Sequence, residues 1–232
     1  MGTPADELRR ELTDSGVRPG DEVIVPSYGT TDAAEAVLLA GARPVFVDID
    51  ADSFCIDPAA VAEAVSPRTA AVVAVHTFGH PADMARINEI GDRHGIHVIG
   101  YGVVEEPAGE IVRRQANAAY LDGKLRGVRT PAVAVGVDHS YQSYVVRVPG
   151  NGRPDRDAFA RALRSRGVAC HVPVQTPVHR TQRFRRELWL VETERAADEC
   201  LALPVDASMP RRELQRVVSA CNALGGLLQT AA

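Results

Sequence analysis

Residues 16–50 read GVRPGDEVIVPSYGTTDAAEAVLLAGARPVFVDID and contain a complete strand–helix–strand unit. The apolar run at 23–25 is typical of a parallel strand buried on both faces, and Pro26 ends it. Residues 31–40 carry small apolar side chains on one helical stripe, and Gly41 stands where a helix C-cap glycine is expected. A second apolar strand follows at 44–48. The pattern predicts a right-handed βαβ unit.

The same alternation continues on both sides of this unit. Apolar strands are predicted at 22–26, 44–48, 70–76 and 96–100, and helices at 3–15, 31–40, 57–65 and 81–94. Strands that alternate with helices indicate an α/β fold with a parallel sheet. Later residues predict a smaller α+β unit, with helices at 110–126, 155–166, 194–201 and 211–228 and strands at 133–137, 141–148 and 168–174. We therefore expect two domains, 1–106 and 107–232.

Composition excludes several classes of function. The 232 residues carry a net charge of −4, so nothing indicates binding to nucleic acid or to an anionic membrane. The four cysteines form no CxxC pair, which argues against zinc. Met1 leads directly into GTPADELRREL without a signal-peptide pattern, so we expect a cytoplasmic protein. Only one of the 26 basic residues, Lys124, is a lysine.

Several segments together resemble one known family. They are PGDEVIVPSY and AVLLAGARPVFVDID within 16–50, SPRTAAVVAVHTFGHPADM at 66–84, RHGIHVI at 93–99, YQSYVVRV at 141–148 and PVHRTQRF at 177–184. They are similar to the DegT/DnrJ/StrS sugar aminotransferases, which are pyridoxal-phosphate (PLP) enzymes of aminotransferase fold type I. The resemblance implies a reduced version of that fold. We expect a four-stranded parallel sheet of order 2-1-3-4, flanked by helices, and a small C-terminal α+β domain.

The resemblance also identifies what the chain lacks. The family's pyridinium-binding aspartate follows strand 4 in a pattern like VIEDAAQ, whereas this chain reads VIGYGVV with Tyr101 in its place. The family's stacking aromatic falls at about Thr30. The block that carries the catalytic lysine is missing after Glu106, and Lys124 lies in a later helix that does not correspond to it. These departures predict no PLP binding, no transamination and no cofactor.

Candidate site residues follow from the parallel sheet, because ligands bind where the carboxyl ends of its strands meet. The switch in strand order lies between strands 1 and 3. For acid–base catalysis we expect His76, Tyr101, Tyr28 and Glu105. For substrate binding we expect Ser27, Asp32 and His80, together with His171 and His179 from the C-terminal half.

The sequence leaves alternatives open at several of these positions. His76 and His80 have metal-like spacing, but the Gly and Pro around them indicate a loop, so no metal site is predicted. Tyr101 either fills the space of the cofactor or presents its phenol to a new ligand. Asp48 and Asp50 either join the site or form a solvated turn. The C-terminal histidines either reach the substrate or lie on the surface.

Three functional hypotheses follow. The first is a PLP-independent enzyme of natural-product biosynthesis that uses acid–base chemistry on a small molecule, as an isomerase, cyclase or dehydratase. The second is a non-catalytic partner of a full-length aminotransferase or of another pathway enzyme. The third, a decayed gene, fits poorly with the intact helix caps and strands. Strand 4 is left as an exposed sheet edge, so we also expect a homodimer.

Overall fold

The computed structural model describes residues 3–104 and 106–228, with side chains through residue 224. Two compact units are interleaved in sequence. The sheet unit comprises the chain up to Thr77, Pro81–Val103 and Thr176–Thr193. The C-terminal unit comprises Phe78–His80, Val104–Gln175 and the chain from Glu194 onward. The segment 78–80 thus belongs to the C-terminal unit, although the residues on both sides of it belong to the sheet unit. Conversely, 176–193 belongs to the sheet unit, although the residues on both sides of it belong to the C-terminal unit.

The sheet unit contains four parallel strands, β1 (Glu22–Pro26), β2 (Arg43–Val47), β3 (Thr69–Val75) and β4 (His97–Tyr101). Their order is β2-β1-β3-β4, which confirms the predicted topology. Each strand lies within one residue of its predicted position. The β1 strand is buried along its whole length, as its apolar run predicts.

Helices cover both faces of this sheet. On one face, α1 (Pro4–Asp14) and α2 (Asp32–Leu39) pack against Val23, Val73 and Ile99. On the other face, α3 (Pro58–Ala64) and α4 (Met84–His94) pack against the alternate strand residues, among them Ile24 and Ala74. The two cores are separate because successive strand side chains point to opposite faces.

The C-terminal unit is built from α5 (Ala108–Lys124), β5 (Tyr144–Arg147), α6 (Arg153–Ser165), β6 (Cys200–Leu203) and α8 (Arg211–Leu228). The strands β5 and β6 pair antiparallel. Helix α7 (Val191–Glu199) begins in the last segment of the sheet unit. Buried Leu121, Tyr144, Leu163, Leu201 and Cys221 belong to one core.

Three predictions for this unit are wrong. Residues 133–137 form no strand, and of 168–174 only His171 makes a bridge, to Ala202. Cys200–Leu203 is the strand β6, whereas the sequence predicts its first two residues as the end of the helix at 194–201. This CLAL run is too short for its periodicity to distinguish a strand from a buried helix turn, and pairing with β5 decides the outcome. No helix in the described chain is long and apolar enough to cross a membrane.

Candidate functional site

The carboxyl ends of β3 and β4 carry two of the predicted catalytic residues, on opposite faces of the sheet. The ring of His76 lies beside Gly100 and Met84, on the face covered by α4. Tyr101 packs with Ile99 on the face covered by α1 and α2. The backbone N–H of His76 donates to the Tyr101 carbonyl at 2.7 Å, so the residues are neighbours. Their reactive groups nevertheless face different cores.

His76 is held in one tautomer. Its Nδ1 accepts the backbone N–H of Ala82 at 2.9 Å, so the proton of the neutral ring lies on Nε2. Burial lowers the pKa of His76, which favours this neutral form. Nε2 lies 3.2 Å from the point that a Cβ would occupy at Gly100. The imidazole is therefore placed to donate a hydrogen bond, and its Nδ1 is engaged in shaping the 76–82 turn.

Tyr101 occupies the other face together with acidic side chains. Burial raises the pKa of its phenol, and the nearby Asp32 and Glu7 carboxylates raise it further. The phenol is therefore neutral at physiological pH. Asp32, the first residue of α2, accepts a hydrogen bond from the Thr30 hydroxyl at 2.9 Å. The Tyr101 phenol can donate a hydrogen bond and the Asp32 carboxylate can accept one. A phenol whose pKa is raised is nevertheless a weak general acid or base near neutral pH.

Ser27 and His179 form a buried pair within the sheet unit. The Ser27 Oγ lies 2.6 Å from His179 Nδ1 and accepts the His179 backbone N–H at 3.0 Å. The Ser27 carbonyl also accepts the Val178 N–H at 2.8 Å. Both side chains are fully buried, with 0% exposure. A substrate cannot reach this serine–histidine pair as it stands, so the pair joins the 176–193 segment to the end of β1.

The remaining residues at these strand ends also have structural partners. Tyr28 is buried and its ring stacks on Phe54, with 5.8 Å between centroids. The Asp48 carboxylate accepts the backbone N–H groups of Glu192 and Thr193 at 2.9 and 2.7 Å, so it caps the start of α7. Asp50 forms a local turn instead: it accepts hydrogen bonds from the two residues after Ala51.

The other predicted site residues belong to the C-terminal unit. His80 contacts the ring of His139 edge-on, at 5.3 Å, and His139 stacks on Tyr141 at 4.0 Å. Burial lowers the pKa of His139 to about 4, with His80 as a second cause. His171 is exposed at its bridge to β6. Glu105 lies outside the described residues. Among the residues that are described, no cluster of three metal-binding side chains exists.

Sequence reasoning missed the structural roles of Asp48 and of the segment around His179. Both depend on contacts across about 145 to 150 positions, and no local pattern announces them. Tyr144 and Asp122 were missed as well. The Tyr144 hydroxyl donates to Asp122 at 2.5 Å, and burial raises the pKa of that carboxyl. The sequence offers one sign of this pair, because Asp122 is a polar residue on the apolar side of α5.

The residues present do not fit PLP, the cofactor of the family that the sequence resembles. Tyr101, which the sequence resemblance puts at the position of the family's aspartate, offers a neutral phenol where a carboxylate would pair with the pyridinium nitrogen. The start of α1 is capped internally, because the Asp6 carboxylate accepts the Thr3 N–H and hydroxyl, each at 2.9 Å. PLP enzymes hold the cofactor phosphate at a helix N-terminus, and at the start of α1 the Asp6 carboxylate would repel such a phosphate. Lys124 is exposed in α5 of the C-terminal unit.

Comparison with known proteins gives relatives that include several named aminotransferases. The dTDP-3-amino-3,4,6-trideoxy-α-D-glucose transaminase of Streptomyces venezuelae is 46% identical over 94 residues, 40% of this chain and 25% of that protein. The L-glutamine:2-deoxy-scyllo-inosose aminotransferase of Streptomyces paromomycinus is 38% identical over 151 residues, 64% of this chain and 32% of that protein. The matched segments thus span about a quarter to a third of these relatives.

Solved structures extend the similarity to nearly the whole chain. S. venezuelae DesV, solved with a ketimine intermediate, superimposes with a TM-score of 0.86 and 25% identity, covering 96% of this chain and 83% of that one. The 3-amino-5-hydroxybenzoic acid synthase shares the fold, with a TM-score of 0.86 at 19% identity, covering 97% of this chain and 85% of that one. The DegT/DnrJ/EryC1/StrS aminotransferase profile matches residues 2–100 and 105–222. The chain therefore belongs to the DegT/DnrJ/EryC1/StrS aminotransferase family, on a reduced fold type I sheet.

Proposed function

We propose that this chain is a PLP-independent member of the family that does not transaminate and acts as a non-catalytic partner of another enzyme. The observation that carries the proposal is Tyr101. A partly buried phenol with a raised pKa stands at the position that the resemblance assigns to the carboxylate of a PLP enzyme of this family. The self-capped start of α1 supports the same conclusion.

The arrangement of polar residues favours binding over catalysis. Catalysis by a general acid and a general base acting together needs both groups to reach the same part of the substrate. Here His76 and Tyr101 face opposite sides of the sheet, and Ser27 and His179 are buried against each other. The exposed hydroxyl–carboxylate pairs of the sheet unit, Thr30–Asp32 and Ser53–Asp50, are local turn contacts between residues two or three positions apart.

The relatives suggest the setting. Two of them are named for amino-sugar and aminocyclitol transamination in Streptomyces. We propose that this chain works in the same kind of secondary metabolism, beside an enzyme that carries out the chemistry. A full-length aminotransferase of the family is the first partner to test.

A visible-absorbance titration with PLP tests the cofactor claim. PLP acquires a visible band when a protein lysine binds it covalently, and Lys124 is the only lysine of this chain. We expect no band beyond that of free PLP, and the same spectrum from Lys124→Arg. A band in the wild type that disappears in Lys124→Arg, or transamination of a keto sugar, would contradict the proposal.

The alternative is a PLP-independent isomerase, cyclase or dehydratase. One observation favours it: Asp32 lies near the Tyr101 phenol at the end of the sheet. Turnover of dTDP- or UDP-linked keto sugars, followed by proton NMR, separates the two functions. We expect no turnover. Conversion that is lost in Tyr101→Phe and retained in Tyr120→Phe, a tyrosine of α5, would establish the enzyme instead.

The edge of the sheet supports a homodimer. No strand of the described chain pairs with the outer side of β4, and the strand carries no Lys, Arg, Asp, Glu or Pro that would discourage pairing. Val103 and Val104, two and three positions after the end of β4, are 73% and 57% exposed. We propose that a second copy pairs with this edge across a two-fold axis. Light scattering at low micromolar concentration tests it, and a monomer would refute it.

A further inference from the structure

Residues 180–189, RTQRFRRELW, form a surface loop of unusual composition, which we call the arginine loop. It holds four arginines within seven residues and the only tryptophan of the chain, although the net charge of the chain is −4. The four guanidinium groups belong to exposed residues, and Trp189 is 79% exposed. An exposed tryptophan beside clustered arginine is the composition of a binding hot spot.

The loop is anchored at both ends and in the middle. Before it, His179 is held by Ser27, and after it Thr193 is held by Asp48. In its middle, the buried Phe184 packs edge-on against Phe46, with 6.0 Å between ring centroids. These contacts all lie within the sheet unit.

Hydrogen bonds inside the loop add to this order. The Arg186 N–H donates to the His179 carbonyl at 2.9 Å, and Arg180 Nη2 donates to the Leu188 carbonyl at 3.2 Å. Leu188 and Leu190 pack against the sheet core, so Trp189 between them points outward. The exposure of Trp189 is therefore a property of an ordered segment, and binding there costs little conformational entropy.

The charges of the loop indicate its partner. Arg183 lies 3.8 Å from Glu35, and its guanidinium stands 5.7 Å from the Phe184 ring. Arg185 and Arg186 make no ion pair with any described residue, and Glu187 is the one acidic side chain in the loop. Paired guanidinium groups recognise carboxylates, and an indole beside them adds apolar contact.

We infer that the arginine loop docks an acidic segment of a partner protein, in which carboxylates meet Arg185 and Arg186 and an apolar side chain meets Trp189. The inference rests on the proposed non-catalytic function and names the surface that would serve it. A nucleic acid is less favoured because the chain as a whole is acidic, which would repel an extended polyanion.

The test uses the full chain and a labelled peptide of glutamate and glycine with one central phenylalanine. The reference peptide has lysine in place of glutamate. We expect fluorescence anisotropy to rise with the glutamate peptide alone, and the emission of Trp189 to shift to shorter wavelength. Arg185→Ala/Arg186→Ala should weaken binding about tenfold or more, and Trp189→Ala likewise. Arg161→Ala/Arg212→Ala, on exposed positions of α6 and α8, should bind as the wild type does.

Several results would overturn the inference. They are equal binding of both peptides, equal loss in the Arg161/Arg212 variant, and tighter binding of inorganic phosphate or of a single-stranded oligonucleotide than of the glutamate peptide. Dimerisation that is lost in Arg185→Ala/Arg186→Ala would assign the loop to a second copy instead. Unchanged thermal midpoints exclude misfolding as the cause of any loss. The PLP titration does not depend on this loop, so failure of either proposal is seen separately.

Discussion

Replacing Ser27 by alanine tests whether the Ser27–His179 pair holds the sheet unit together. The hydroxyl serves two buried polar groups of His179, its Nδ1 at 2.6 Å and its backbone N–H at 3.0 Å. Leaving one buried polar group without its partner costs about 1–3 kcal/mol, so we expect Ser27→Ala to lose about 3 kcal/mol. For a chain of this size that loss lowers the thermal midpoint by about 6–12 °C.

Urea denaturation followed by circular dichroism measures the loss in free energy of unfolding. Hydrogen exchange of the His179 amide gives a local readout, and it should accelerate in Ser27→Ala. Ser165→Ala is the control, because Ser165 is exposed and its hydroxyl donates only to Ala162 of the same helix. It should stay within about 0.5 kcal/mol of the wild type. If Ser27→Ala loses less than about 1 kcal/mol, the structural role assigned to the pair is wrong.

Three further predictions concern stability. His139→Asn keeps an acceptor for the Tyr141 N–H but removes a group whose pKa burial lowers to about 4. The unfolded state binds the proton first, so stability falls as the pH drops from about 6.5 towards 4. Between pH 7 and 5 the wild type should lose about 2 kcal/mol from this group, and the variant should not. Asp48→Ala removes the cap of α7 and should cost about 1–2 kcal/mol in urea denaturation. Gly79 has a φ of +89°, and a Cβ added there would lie 2.4 Å from Ser140 Oγ. Gly79→Ala should therefore lower the free energy of unfolding by about 2 kcal/mol or more.

Matched variants control these measurements. His94→Asn changes an exposed histidine and should keep the acid dependence of the wild type. Asp52→Ala removes an exposed carboxylate near Asp48 and should be almost neutral. A pH profile of His139→Asn that matches the wild type would contradict the burial argument. Asp48→Ala or Gly79→Ala at wild-type stability would contradict the contacts assigned to those residues.

The central strands β1 and β3 could be predicted from sequence because they are buried on both faces and therefore form uninterrupted apolar runs, as at 23–25. The caps at Thr3, Asp57 and Gly95 mark helix ends by local chemistry, and all three are observed. The site was harder to predict. Placing His76 and Tyr101 on opposite faces requires the register of β3 against β4, which no local pattern specifies.

Long-range partners were the second difficulty. The polar loop around His179 predicts a surface histidine. In the fold His179 is buried against Ser27, which lies 152 positions earlier in the sequence. The short β6 strand shows the same dependence, since its residues pair with β5 across more than 50 positions. Such contacts depend on the assembled fold, whereas capping and periodicity depend on neighbouring residues.

The return of residues 176–193 to the sheet unit also bears on how the protein is synthesised. The ribosome completes β1 to β4 long before it reaches His179 and Thr193, so Ser27 and Asp48 at first lack the groups they hold in the native state. Most of the C-terminal unit emerges in between. The sheet unit therefore reaches its native state late in translation, and its strands remain exposed to premature association until then. A fragment that stops near residue 103 would keep all four strands and still fold incompletely.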